Sequence, residues 1–278
     1  MSLGEPHSHI FDAAPRLHYL EWNPAGLVTV ILLHGNSANA WWWEPVARLM
    51  PPEVRMLALD QRGHGDSEWV RPAAYSPLDY ARDIAAFTAH AARPGRKPVV
   101  VGHSMGGIST LAFARNHGEL ARAVAAIDVA IKSSKGRDRY IRRLKALPTV
   151  TYADLETAQA RFRLMPDEGA IAPEILLEIA HRSLARTDEG RWTLKFDRES
   201  FFGSDGIDVI ETIRAIAIPT LLVRAEHSRI MTADSAAAAR DANPHVRLVE
   251  IAAAHHHVIL ENPAAVASTI TEFIAQLP

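Results

Sequence analysis

The sequence predicts an α/β fold: a mostly parallel sheet with helices on both faces and an inserted helical cap. Three observations carry this reading. Short, β-branched apolar runs alternate with helical patterns over residues 28–128. The alternation stops near Ala130 and returns after Ile213. The interval between holds helix-like stretches and no buried-strand run. Strands that alternate with helices need crossover connections, and these build a parallel sheet covered on both faces. Ligands bind such sheets at the carboxyl ends of the strands, which an insertion there would roof. Residues 1–130 and 214–278 are therefore expected to form the core, and 131–213 the cap.

The elements follow in order. Alternating stretches around His9–Phe11 and Leu17–Trp22 read as an antiparallel hairpin. Val28–Leu33 (VTVILL) reads as a strand buried on both faces, ending in His34-Gly35-Asn36. A helix is expected over Trp42–Met50, stopped by Pro51-Pro52. Arg55–Asp60 is the next strand, and Pro77–Ala92 an amphipathic helix with Pro in its first turn. Lys97–Gly102 and Arg122–Asp128 are strands on either side of a helix over Ser104–Asn116. In the interruption, helices are expected near Ala153–Arg163 and from Pro173. After it come a strand at Thr220–Arg224, a helix at Thr232–Asp241, a strand at Val246–Ile251 and a helix at Pro263–Gln276.

Composition narrows the function classes. The 278 residues are 48% hydrophobic, which suffices for one large core with an inserted unit. The formal net charge is −2, and no basic tail is present, which argues against nucleic acid or an anionic membrane as partner. There is no cysteine, hence no disulfide framework and no thiolate chemistry. The opening residues lack the charged and apolar regions of a signal peptide, so a cytoplasmic location is expected. No apolar run is long enough to span a membrane.

Gly102-His103-Ser104-Met105-Gly106 matches G-x-S-x-G between a buried strand and a helix, the context of a nucleophile elbow. The glycines permit a turn that lifts the Ser104 hydroxyl above the sheet. Acyl transfer needs two fixed donors for the developing oxyanion. The N–H of Met105 is one candidate, and the N–H of Asn36 at the end of the VTVILL strand is the other.

Together with Leu33-His34-Gly35, the turn Asp60-Gln61-Arg62-Gly63-His64-Gly65-Asp66-Ser67, and His256 ahead of Leu260-Glu261-Asn262-Pro263, this chain resembles the capped α/β-hydrolase family over residues 28–128 and 218–276. The resemblance implies that His256 is the catalytic base, with His255 in place of the family's usual glycine. It implies that Arg62, His64 and Asp66 are scaffold. Three histidines in a row, His255 to His257, invite a metal reading. Consecutive residues of an extended loop point to alternating sides, and neither cysteine nor an HExxH pattern is present. No metal and no cofactor are expected.

The acid departs from the family pattern. The usual aspartate position falls on Ser228, which cannot balance an imidazolium. Three alternatives stand: Asp128 at the end of its strand, Glu226 reaching from the usual loop, or no acid at all. Asp128 is the expected partner of His256 Nδ1. Trp42 and Trp43, from the run Trp41-Trp42-Trp43, are expected with His103 to line the pocket, against the alternative that the tryptophans pack the first helix. The basic run Lys132, Lys135, Arg137, Arg139, Arg142, Arg143 and Lys145 reads as a solvated helix face, or as the source of one arginine for a substrate carboxylate.

The expected activity is hydrolysis of a small carboxylic ester or lactone through an acyl-enzyme, with Ser104, His256 and Asp128 as triad. The partner is a small-molecule substrate, and the sequence fixes no oligomeric state. Haloalkane dehalogenases and epoxide hydrolases resemble the chain but use aspartate where it has Ser104. Two alternatives stay open: a carbon–carbon hydrolase of a dienone acid, and a ligand receptor on a hydrolase scaffold with weak turnover. The carbon–carbon hydrolases often carry tryptophan where this chain has His257.

Overall fold

Residues 4–132, 135–201 and 207–278 are described by the computed structural model, apart from the side chains of Lys135, Arg137, Asp138 and Tyr140. Strands β1 (His7–Phe11) and β2 (Leu17–Trp22) form the antiparallel hairpin at one edge of an eight-stranded sheet. β3 (Val28–Leu33) follows, then α1 (Glu44–Ala47), β4 (Val54–Leu59), α2 (Pro77–Ala91), β5 (Val99–His103), α3 (Met105–His117) and β6 (Ala123–Ile127). The insertion contributes α4 (Lys135–Ala146), α5 (Leu155–Ala160), α6 (Pro173–Arg182) and a small hairpin, β7 (Leu184–Arg186) with β8 (Trp192–Leu194). The chain ends with α7 (Val209–Arg214), β9 (Thr220–Ala225), α8 (Ala233–Asp241), β10 (Val246–Ile251), α9 (Val258–Glu261) and α10 (Pro263–Ala275).

The sheet order is β1-β2-β4-β3-β5-β6-β9-β10, parallel from β4 onward. The apolar runs lie in its centre because both strand faces are buried there. In β3, Val30 and Leu32 pack toward Trp43, α1 and α10, while Ile31 and Leu33 pack toward α2, α3 and α8. That is the period-two alternation of a doubly covered strand. The insertion adds no strand to this sheet among the described residues. The chain is thus an α/β fold built on a mostly parallel sheet with helices on both faces, as the sequence predicts.

One local expectation needs correction. The helix expected over Trp42–Met50 is a 3-10 turn, Ala40–Trp43, followed by the single-turn α1. Asn39 caps the turn by accepting from the Trp41 N–H at 3.1 Å, and Pro45 opens α1. The RWTLKF segment supplies β8 of the cap hairpin, an element the sequence pattern does not announce. Val209 and Ile213 of α7 pack in the core cluster with Leu111 of α3. In the basic run, Lys132, Arg139, Arg142 and Arg143 are exposed and Lys145 is half-buried, while the Lys135 and Arg137 side chains lie outside the described residues.

Candidate active site

Four strand ends meet at one edge of the sheet. Leu33 pairs with Gly102, His103 with Ile127, and Ile127 with Val223, so the residues just beyond them emerge side by side. The Ser104 N–H donates to the Ile127 carbonyl at 2.9 Å, and the Asp128 N–H to the Val223 carbonyl at 2.7 Å. The backbone ladder therefore sets the height of both side chains before any side-chain contact forms.

Ser104 occupies φ 53°, ψ −117°, a region that L-residues avoid. The turn around it closes only because its flanks are glycine. A Cβ on Gly102 would lie 2.2 Å from the Gly106 carbonyl oxygen, and one on Gly106 would lie 2.5 Å from the His34 carbonyl oxygen. The hydroxyl is then presented ahead of α3, whose first-turn N–H groups have no partner within the helix.

His256 arrives on the loop after β10. Its Nε2 lies 3.0 Å from Ser104 Oγ and its Nδ1 2.7 Å from Asp128 Oδ2. Asp128 is fully buried. Its Oδ1 accepts from the Ala225 N–H at 3.1 Å, and Oδ2 also accepts from the Ser228 hydroxyl at 2.5 Å. Burial pushes its carboxyl up to about 6, against the lowering pull of those two bonds. Ser228, at the position where the resemblance puts an acid, thus holds the acid that stands elsewhere. It is held in turn by the Ile230 N–H, which donates to its Oγ at 3.0 Å.

Glu226 is not at His256. Its Oε2 accepts from the Ala253 N–H at 2.7 Å, on the outer side of the histidine loop. Of the other histidines, His255 Nδ1 bonds Glu261 Oε1 at 3.0 Å and His257 Nε2 donates to the Pro166 carbonyl at 2.9 Å. The second contact ties the Pro166 segment to the histidine loop. Burial, and then the charge of His256, bring His257 down to about 4.

The pocket reading for Trp42, Trp43 and His103 is corrected. Trp43 is wholly buried, Trp42 nearly so, and both lie in the core cluster that includes α1 and α10. His103 lies beneath the site, donating from Nε2 to the His256 carbonyl at 2.8 Å. Burial holds its pKa well below the usual imidazole value, followed by the charges of His256 and His257. The cavity over Ser104, about 310 Å³, is instead walled by Met105, Ile108, Leu144, Met165, Phe201 and Ile230, with Asn36, Ser104 and His256 at its floor. These apolar walls come from segments far apart in the sequence, and no local sequence pattern marks them.

His34 adds a feature that the motif alone does not reveal. Its Nδ1 donates to the Gly35 carbonyl at 2.7 Å, while its Nε2 accepts from the Gln61 N–H at 3.0 Å. The Gly35–Asn36 peptide is planar and trans, so pinning its carbonyl to one side turns the Asn36 N–H to the other. A Cβ on Gly35 would come within 3.3 Å of Ser104 Cβ, so this peptide lies against the serine.

Comparison with known proteins agrees with this architecture. The family model for the alpha/beta hydrolase family matches residues 30–269. The chain is 28% identical over 250 residues to a 2-(acetamidomethylene)succinate hydrolase of Mesorhizobium japonicum, covering 88% of this chain and 87% of that one. It is 27% identical over 235 residues to an esterase of Mycobacterium tuberculosis, covering 83% and 76%. The crystal structure of an E-2-(acetamidomethylene)succinate hydrolase superposes with a TM-score of 0.83 at 25% identity, over 97% of this chain and 99% of that one.

Proposed function

The chain belongs to the alpha/beta hydrolase family, and from that premise we propose that it hydrolyses a small carboxylic ester or lactone through an acyl-enzyme. The observation that carries the proposal is the unbroken chain of hydrogen bonds from Ser104 Oγ through His256 to Asp128. In this reading Ser104 Oγ attacks the carbonyl carbon as its proton passes to His256 Nε2. Asp128, accepting from Nδ1–H, fixes the tautomer and balances the imidazolium. The carbonyl oxygen gains the electron pair and meets the N–H groups of Asn36 and Met105. The tetrahedral adduct collapses, and His256 gives its proton to the leaving alkoxide. Water then loses a proton to His256, attacks the acyl-enzyme, and Ser104 is regenerated.

The apolar chamber supports a small organic substrate rather than a polymer. Among the described residues no helix is long and apolar enough to cross a membrane. A cytoplasmic location, and a division into a core and a cap of residues 131–213, belong to the same proposal. The intact triad geometry favours turnover over a ligand receptor of the same fold. A carbon–carbon hydrolase would use the same serine and histidine, so the substrate panel must include dienone acids.

The test is hydrolysis of p-nitrophenyl acetate, with a sulfonyl fluoride as label. Turnover, modification at Ser104 and loss of both in Ser104→Ala are expected. Labelling of another serine, or unchanged turnover in the variant, overturns the proposal.

A further inference from the structure

The chamber over Ser104 has a neighbour. A second cavity, of about 250 Å³, lies within the cap, and its lining includes Tyr152, Phe162, Phe196, Arg161, Arg163 and Arg198. Leu144, Met165 and Phe201 line both cavities, so the two share a wall of apolar side chains. One member, Met165, is an unbranched thioether that adapts to irregular contents. Each chamber alone is at or below the lower end for small-molecule sites, whereas a ligand filling both has the size of an ordinary metabolite.

The chemistry of the second chamber is one-sided. Three arginines line it, Arg161 and Arg163 exposed and Arg198 half-buried, and no aspartate or glutamate does. Among the described residues none of the three makes an ion pair, whereas Arg55, Arg62 and Arg224 each meet a carboxylate. Arg163 Nη1 donates to the Ala160 carbonyl at 2.9 Å and the Phe162 carbonyl at 2.6 Å. Arg198 Nη1 donates to the Leu144 carbonyl at 3.0 Å, which sets Arg198 at the shared wall. Each guanidinium has five N–H donors, so these bonds leave several for a guest. Positive charge without a carboxylate in the same lining attracts anions, and the guanidinium fork matches carboxylate and phosphate oxygens.

We infer that the substrate is bipartite: its reacting carbonyl lies over Ser104, and an oxyanionic group, carboxylate or phosphate, reaches past Leu144, Met165 and Phe201 to Arg161, Arg163 and Arg198. The inference rests on the hydrolase reading of Ser104 and adds a substrate class to it. The arginines bind and orient; they take no part in bond breaking.

The test uses p-nitrophenyl esters of straight-chain diacids of increasing length, each against the neutral monoacid ester of equal length. A phosphonate-terminated series separates the two oxyanion types. Butyrate esters of ω-hydroxy acids probe the alcohol side in the same way. At one chain length kcat/KM for an anionic ester should exceed that of its neutral partner by ~tenfold or more, the worth of a charge-assisted bond. Added salt should reduce the ratio. In the double variant Arg161→Gln, Arg198→Gln the ratio should fall toward one through KM, and Arg161→Lys should restore part of it. Circular dichroism checks that the variants fold. Ratios at or below one at every length in wild type, or a ratio untouched by the double variant, overturn the subsite. Calorimetry of the unreactive diacids glutarate to suberate with Ser104→Ala keeps the two readings apart. Binding that depends on the arginines, without turnover of any ester, sinks the ester reading alone. Turnover of neutral esters, with neither diacid binding nor anionic preference, sinks the subsite alone.

Discussion

Among the described residues, two serine–histidine–aspartate chains of hydrogen bonds stand out. In one, His256 bonds Ser104 at 3.0 Å and Asp128 at 2.7 Å. In the other, His18 Nε2 bonds Ser8 Oγ at 2.9 Å and His18 Nδ1 bonds Asp60 Oδ2 at 2.7 Å. Both histidines and both aspartates are buried. The surroundings of the serines differ. Ser8 sits exposed on the edge strand β1, with no helix N-terminus behind it. Ser104 is forced into a left-handed turn ahead of α3 and faces an apolar chamber. The aspartates differ as well. Asp60 also accepts from the Ala40 N–H at 2.6 Å and the Asp66 N–H at 2.9 Å, binding β4 to two loops. Burial would raise Asp60, but the hydrogen bond and charge of His18, the charge of His34 and the Asp66 N–H bring it below its usual value. Asp128 goes the other way, to about 6. The order of hydrogen bonds is thus common to a structural clamp and a candidate catalytic centre. What separates them is backbone strain, donors for an oxyanion and space for a substrate.

The largest effect that tests this contrast is at the serines. Ser104→Ala should lower ester turnover by ~10⁴-fold or more, as loss of a nucleophile does, whereas Ser8→Ala should leave it within about twofold. Comparable losses in both would erase the distinction drawn here. Next come the aspartates. Asp128→Asn should cut kcat by up to ~10⁴-fold, because the amide favours the wrong tautomer of His256. Asp60→Asn should act on stability instead, by ~1–3 kcal/mol, since it weakens a buried acceptor of three bonds. Paired thermal melts and kinetics would show whether the two losses fall on different observables.

A pH titration sharpens the same contrast. The proposed mechanism requires ionised Asp128, so activity should fall as pH drops through about 6. The stability terms have defined signs. Asp60, held low, stabilises the fold above the ordinary carboxyl value, and this contribution fades as pH falls below that value. Asp128, held high, makes the folded chain keep a proton longer than the unfolded chain, so its term reduces stability as pH rises toward about 6. Activity lost well above the onset of acid unfolding is the expected pattern. Coincident loss of both would place the acid limb in the fold rather than at the site.

Ser228 tests why the acid stands where it does. Its hydroxyl lowers the Asp128 carboxyl, so Ser228→Ala should move the acid limb of activity to higher pH, by up to about one unit. A loss of kcat of ~tenfold or less should accompany the shift. An unmoved limb would mean that the remaining partners, the Ala225 N–H and His256 Nδ1, hold the carboxylate without Ser228. Ser228 also marks how far the sequence can be read. The elbow glycines, Ser104 and the run of strands are legible because each follows from backbone sterics or a two-residue period. The partnership of Ser228 with Asp128 spans a hundred positions and depends on two strand ends lying side by side. Trp42 and Trp43 show the reverse error. Large aromatics beside a site look like pocket walls, yet their position on a short turn sends them into the core. The hairpin β7–β8 was hidden for a third reason: three-residue strands are too short to show a period.

The smallest effect belongs to Glu226, the carboxylate in the loop that follows β9. By sequence it rivals Asp128, because both lie between Ser104 and His256 in chain order. In the structure its Oε2 accepts from the N–H of Ala253, which itself sits at φ 52° in the turn leading to His256. The side chain therefore braces the loop from outside and reaches no atom of the proposed triad. Its removal leaves other ties in place. The Glu226 N–H still donates to the Ile251 carbonyl, the His227 N–H to the Ala254 carbonyl, and His103 still bonds the His256 carbonyl. Glu226→Gln also retains a side-chain oxygen able to accept from Ala253. Activity should therefore drop less than ~tenfold, with no shift of the acid limb, since no charge beside His256 has changed. A loss approaching that of Asp128→Asn would show that the histidine loop depends on a distant carboxylate for its alignment, and the line drawn between brace and triad would have to move.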